Sequence, residues 1–141
     1  MTASGFDVLC IGNAIVDVIA RVGEDFVSRH GLVKGSMNLI DEARAEELYA
    51  DMGQAIEVSG GSAGNTAAGV ASLGGSAAYF GKVKADQLGA IFRHDMRAQG
   101  VAFDTPPATG GPATARSFIL VTPDGLIGGA DPRREGVAVG D

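Results

Sequence analysis

A strand-like run, "AIEV", breaks at Gly60 and Gly61 and gives way to an Ala-rich stretch of helical character. That strand–glycine–helix junction, within "VSGGSAGNTAAGVASLGG" (residues 58–75), constrains the fold more than any other feature of the chain. Glycine loses more backbone entropy on folding than any other residue. Two in succession at the head of a helix therefore imply that something approaches a bare backbone there. A chain that passes from strand to helix and back to strand makes a crossover, which implies a sheet with helices packed on it.

The rest of the chain repeats that alternation. Residues 6–22, "FDVLCIGNAIVDVIARV", are rich in Val and Ile and read as two extended segments interrupted at Gly12-Asn13. A short strand is expected in "GSMNLID", and Asp41 suits the N-cap of the helix "EARAEELYADM", whose apolar stripe is Leu48, Tyr49 and Met52. After the Ala-rich helix, "SAAYFGKV" reads as a strand. Asp86 then opens a helix with Leu88, Ile91, Phe92 and Met96 at helical spacing, and Gly100 stops it. "TARSFILVTPDG" alternates as a strand and ends in a turn. The remainder, "LIGGADPRREGVAVGD", shows no periodicity and reads as a tail. The fold class expected is α/β.

Composition narrows the function classes. The 141 residues suffice for one domain, and with 45% hydrophobic residues a core can be buried. A net charge of -6 argues against broad attraction to nucleic acid or to an anionic membrane. No run of about 18 apolar residues suggests a membrane span. Cys10, the single cysteine, lies in the apolar run "FDVLCIG" and is expected to be a buried strand residue. "MTASGFDVL" lacks the basic and apolar regions of a signal peptide, so the cytoplasm is the expected compartment.

Two segments carry chemistry. At the junction, Gly60 and Gly61 allow a ligand to approach backbone amides at a helix N-terminus. Ser62 can cap that helix, and Asn65 would project from its first turn with a donor and an acceptor. On spacing alone, a tight turn with close packing of a small-residue helix fits equally well. The stretch has no Gly-Lys-Ser/Thr of a nucleoside-triphosphate loop and no dinucleotide fingerprint. The second segment, "IGNAIVDVIA", sets Asp17 in an otherwise apolar strand with Asn13 four residues earlier. A carboxylate there costs stability unless it is hydrogen-bonded. Asp17 is either a sheet-end cap or an acceptor for a sugar diol, and two such polar anchors suggest one shared pocket.

"IGNAIVDVI", then "GGSAGNTA", then "LGG" and "YFGKVKADQLG", in that order, resemble the PfkB carbohydrate kinase family over residues 6–125. "GNAIVD" and "GGSAGN" look closer to its adenosine kinase branch than to ribokinase. Lys84 stands where the family pattern usually has glycine. The resemblance implies a ribokinase-like three-layer sheet with helices on both faces and a small β-lid, truncated after about the first half. Residues 1–125 would be the N-terminal part of the kinase domain, with lid segments within residues 22–58 and an atypical tail over 126–141. It further implies that Asp17, Gly60, Gly61 and Asn65 contact the hydroxyls of a sugar or nucleoside, with Asn13 and Ser62 as lesser contacts. ATP and Mg2+ would serve the intact family member.

The family's base and anion hole come from a C-terminal Gly-Ala-Gly-Asp motif, so no catalytic residue is assigned here. Gly140-Asp141 in "VAVGD" fits only superficially, with Val139 adding bulk and no helix following. A frameshifted or early gene end would account for the tail. Ribokinase- or fructokinase-like specificity and a non-catalytic sugar-binding module are the alternatives, and self-association through exposed sheet or lid edges is expected. His30 and His94 read as solvated, and Glu42, Glu46, Glu47 and Asp51 as a solvated helix face. Arg116 reads as structural and Asp86 as a cap. No Cys/His cluster has metal spacing.

Overall fold

The computed structural model describes residues 5–124 and the backbone of residues 127–131. In chain order the elements are β1 (Val8–Ile11), β2 (Ile15–Arg21), α1 (Glu24–Arg29), β3 (Met37–Leu39), α2 (Glu42–Asp51), β4 (Ala55–Gly60), α3 (Ser62–Ser72), β5 (Ala77–Phe80), α4 (Gln87–Ala98), β6 (Ala115–Val121) and β7 (Ile127–Asp131). The α/β class expected from the sequence is the class observed. The chain divides into two compact units. The first holds the described residues up to Val16 together with Val58–Thr114, and the second holds Asp17–Glu57 and the described residues from Ala115 onward.

In the first unit β1 and β5 pair in parallel, with Cys10 opposite Tyr79 and Ile11 opposite Phe80. Side chains alternate across a strand, so Cys10 and Tyr79 share one face and Leu9, Ile11 and Phe80 the other. The first face carries the core. Tyr79, Phe92 of α4 and Phe103 form a triangle of rings with centroids 5.4–5.5 Å apart. Phe92 and Met96 also reach α3, where an added Cβ on Gly64 would stand 3.8 Å from Phe92 Cζ. The absent side chain lets the two helices meet. Cys10 is buried, as its apolar run implied.

Helix α4 begins and ends as its sequence dictates. The Asp86 carboxylate accepts from the Gly89 N–H at 2.8 Å, the N-cap bond. The same carboxylate accepts from the Thr114 N–H at 2.9 Å and the Thr114 hydroxyl at 2.7 Å, tying the helix start to the residue before β6. Gly100, at φ 82°, terminates the helix in the left-handed region. Partial burial alone would push the Asp86 carboxyl up, but the Thr114 and Gly89 hydrogen bonds outweigh it and hold the group below its ordinary range.

The ionised Asp86 therefore stabilises the fold above the unfolded-state value of about 3.9, and that contribution fades as pH falls through the lower folded value. We expect Asp86→Ala to cost about 1–2 kcal/mol at neutral pH. The gap to the parent chain should narrow below about pH 4. Urea unfolding at pH 7 and pH 3 checks this, and an equal gap at both values would contradict the role given to the carboxylate.

The second unit is built on a five-stranded sheet of order β3-β7-β6-β2-β4. In β2, Val16, Val18 and Ala20 are buried while Ile15, Asp17 and Ile19 are half-buried, the alternation expected of a sheet with one better-covered face. In β6 the buried set is Arg116, Phe118 and Leu120. Helix α2 packs Ala45 and Leu48 inward, and its Asp41 cap accepts from the Arg44 N–H at 2.8 Å.

Arg116 is structural, as read. It donates to Glu46 of α2 and lies 5.7 Å and 5.8 Å from the ring centroids of Tyr49 and Phe118. Tyr49 in turn donates to Glu57, which raises its phenol above the ordinary value.

Four local features differ from the sequence reading. His30 is not solvated. Its side chain is 5% exposed, and its Nε2 lies 2.7 Å from Asp51, while Arg29 reaches the same carboxylate at 3.2 Å. Asp51 and Glu46 thus hold specific partners rather than forming only a wetted helix face. His94, at 81% side-chain exposure, is solvated as expected. Helix α1 appears within the segment between β2 and β3, burying Phe26 and Val27.

The last difference lies in the segment read as a tail. There, Ile127–Asp131 form β7, antiparallel to β6 and parallel to β3. Backbone hydrogen bonding makes this strand, and Gly128 and Gly129 carry no side chains through which alternation could show in the sequence. Residues 132–141, including "VAVGD", lie outside the described residues.

Candidate functional site

Five of the six site positions read from the sequence fall in the first unit. β1 ends at Ile11, and Gly12 follows with its N–H donated to the Phe80 carbonyl at 3.1 Å. A Cβ on Gly12 would stand 2.6 Å from the Ala63 Cβ, so only glycine lets the end of β1 lie against the first turn of α3. The Tyr79 hydroxyl donates to the Gly12 carbonyl at 2.8 Å in the interior. Burial, with a smaller contribution from Cys10, pushes that phenol well above its ordinary value. Tyr79 therefore remains a neutral donor that fixes the turn.

This contact sets Asn13 beside the glycine junction. Gly61 has φ 82° and ψ 146°, a conformation essentially reserved for glycine. A Cβ there would lie 3.0 Å from the Asn13 carbonyl oxygen. The glycine is therefore required twice, by its dihedral angles and by the close approach of residue 13. Gly60 is buried at the end of β4, Ser62 and Asn65 are exposed, and Asn13 is half-buried.

Gly61 itself is the N-cap of α3, without a side-chain cap bond. Ser62 is the first helical residue. The cap role read for Ser62 is thus corrected, because the positive φ the chain needs at the cap admits only glycine. Its carbonyl instead accepts from the Thr66 hydroxyl at 2.8 Å.

Asp17 belongs to the second unit, half-buried on β2 between Val16 and Val18, and is not without a partner. Ser59, next to the junction, is held in the first unit. Its N–H donates to Asp95 of α4 at 2.9 Å, and its hydroxyl accepts from the Gln99 amide at 3.2 Å. Neither Asp95 nor Gln99 was singled out in the sequence. Only the packing of α4 against the end of β4 reveals them as supports of the glycine turn.

Chemically, the junction combines an uncapped helix N-terminus, which carries about half a positive charge, with exposed Ser62 and Asn65 as hydrogen-bonding groups. Such a surface suits oxygen-rich ligands. Among the described residues no group of three or more His, Cys, Asp or Glu side chains is arranged to hold a metal ion. No described helix is long and apolar enough to cross a membrane.

A strand-to-helix glycine turn pressed against the end of β1 is a feature of α/β proteins that present small ligands to a helix N-terminus. Comparison with known proteins gives the class. Residues 6–127 match the model of the pfkB family carbohydrate kinases, and the chain belongs to that family.

Among solved structures, the chain is similar to the adenosine kinase of Sinorhizobium meliloti. The two share 64% identity over 89% of this chain and 38% of that one, with a TM-score of 0.78. It is likewise similar to a "probable sugar kinase protein" from Rhizobium etli, at 60% identity, the same coverage and a TM-score of 0.78. A curated relative described as "Probable fructokinase-6, chloroplastic", from Arabidopsis thaliana, shares 36% identity over 66 residues, which is 47% of this chain and 17% of the relative. The chain thus spans well under half the length of each of these proteins, and covers only part of the kinase fold.

Proposed function

We propose that this chain is the acceptor-binding portion of a kinase that transfers the γ-phosphate of ATP to the hydroxymethyl group of a nucleoside, in the manner of an adenosine kinase. The observation that carries the reading is the 64% identity to the S. meliloti adenosine kinase, sustained over 89% of the chain. Asp17 accepts hydrogen bonds from two sugar hydroxyls, and Gly60, Gly61 and Asn65 hold the sugar from the junction. Asn13 and Ser62 make lesser contacts. The segment between Val22 and Ile56 supplies part of a lid that excludes water from the transferring group.

These residues bind and orient the acceptor. ATP with magnesium supplies the phosphoryl group, and the base belongs to the part of the family fold this chain does not span. A cytoplasmic location fits a kinase that draws on the ATP pool. The Arabidopsis and R. etli relatives support a sugar, rather than a nucleoside, as the competing acceptor.

Titration calorimetry with adenosine, ribose and fructose separates the two. We expect adenosine to bind most tightly and Asp17→Asn to weaken it by about one to two decades, since hydrogen bonds to a charged acceptor contribute roughly 1.5–3 kcal/mol. Unchanged affinity in a variant with the parent circular dichroism spectrum would remove Asp17 from the site. A preference for ribose or fructose would overturn the nucleoside assignment.

A further inference from the structure

The turn after β1 is gripped by one buried hydroxyl. Tyr79 is 2% exposed, and its ring is locked against Phe92 and Phe103 at centroid distances of 5.5 Å and 5.4 Å. Its hydroxyl donates to the Gly12 carbonyl at 2.8 Å. The backbone makes room for that bond at Gly81, where an added Cβ would stand 2.8 Å from both the Tyr79 hydroxyl and the Gly12 carbonyl oxygen. A phenylalanine ring would complete the same aromatic triangle, so packing alone does not call for the oxygen. What the hydroxyl adds is its hold on a peptide group.

The Gly12 carbonyl and the Asn13 N–H belong to one planar group, so fixing the carbonyl fixes the direction in which Asn13 leaves the turn. Gly12 cannot do this by itself, because a residue without a Cβ has the widest choice of backbone angles. The next carbonyl, that of Asn13, lies against Gly61, 3.0 Å from where a Cβ would stand. The Gly61 side is anchored separately through Ser59, whose N–H is donated to Asp95 at 2.9 Å. Loss of the phenol oxygen therefore frees one side of this contact while the other stays held. Binding groups must be kept within about 0.5 Å of their working geometry by side chains whose own rotamers are locked. We propose that Tyr79 is a positioning residue for the acceptor, its hydroxyl setting Asn13 against the Gly60-Gly61 turn and so raising affinity without touching the ligand. The assignment rests on the acceptor-binding reading above and adds to it a residue whose sequence pattern marks only a strand.

Adenosine, ribose and fructose are titrated calorimetrically into the 141-residue parent, Tyr79→Phe and Asp86→Ala, and amide exchange of each is followed without ligand. Tyr79→Phe should weaken adenosine binding roughly three- to tenfold, the effect of one neutral hydrogen bond. The same loss is expected for ribose or fructose if either is what the parent binds. Exchange should quicken across residues 10–16 of Tyr79→Phe, while α4 exchanges as in the parent. Asp86→Ala is the stability control, since that carboxylate bonds to Gly89 and Thr114. It should quicken exchange at the start of α4 and leave affinity at the parent value. Parent affinity in Tyr79→Phe would overturn the proposal, as would unchanged exchange over residues 10–16 or an equal loss of affinity in Asp86→Ala. A parent chain that binds none of the three ligands would overturn the kinase reading and this assignment with it. Failure confined to Tyr79→Phe, with the parent binding, would remove the assignment alone.

Discussion

Supplied with ATP, magnesium and adenosine, ribose or fructose, the chain by itself should transfer phosphate no faster than the uncatalysed background. Phosphoryl transfer depends on positioning and on stabilising the charge of the transferring group, with a base at the acceptor hydroxyl. The family resemblance assigns base and anion hole to a Gly-Ala-Gly-Asp segment, and no such segment falls within residues 6–127 that match the family. On the proposed reading, Asp17 would engage hydroxyls that do not react, and the junction at Gly61 would hold the acceptor rather than the phosphate.

Loss of a base costs about 10²–10⁴ in rate and loss of oxyanion donors about another 10²–10³. Even a well-formed sugar pocket would then leave turnover at the blank. The assay is ADP release by protein purified from a host lacking its own kinase of this family. Turnover that vanishes on Asp141→Ala would contradict the expectation and make "VAVGD" a working motif.

The largest effect on folding is expected from Phe92→Ala. Phe92 is fully buried, meets Tyr79 and Phe103 at ring centroid distances of 5.5 Å, and faces Gly64 of α3. Its removal subtracts one corner of the triangle and leaves α3, α4 and β5 without their common contact. Truncations of this kind cost about 3–5 kcal/mol. Whole domains are stable by only about 5–15 kcal/mol. A unit whose sheet has one open apolar face has little stability to spare, so the variant should lose its cooperative urea transition or shift it far toward low denaturant. A change below about 1 kcal/mol would show that the triangle is not the centre of the core.

The contrast between what could and could not be read from the residues has physical causes. Features fixed by local chemistry were legible. The break at Gly12-Asn13, the Asp41 and Asp86 caps, the α4 stripe of Leu88, Phe92 and Met96, and the Gly100 stop all appear where the pattern sets them. Features fixed by partners distant in sequence were not. His30 is buried because Asp51 and the Phe26 ring, 4.4 Å away, enclose it, and neither lies in a pattern that announces a buried histidine.

Helix α1 has six residues and no side-chain cap, too little for a periodic signal, and β7 is hidden by its glycines. At the candidate site, the need for Gly60-Gly61 was legible as a strand-to-helix turn. That the Asn13 carbonyl is what crowds Gly61, and that the turn rather than Ser62 caps α3, are consequences of β1 docking on α3. Local propensity carries no trace of either.

On the proposed reading, this chain receives its acceptor at the glycine junction. Amide hydrogen exchange followed by mass spectrometry, with and without saturating adenosine, tests it directly. Slowed exchange is expected in peptides spanning residues 58–66 and 12–18, where the Gly60-Gly61 turn, Asn65, Asn13 and Asp17 lie. Peptides of α1 and the exposed end of α3 near Leu73 should exchange as before. Protection confined to other segments, or saturation by adenosine with no change in residues 58–66, would contradict it.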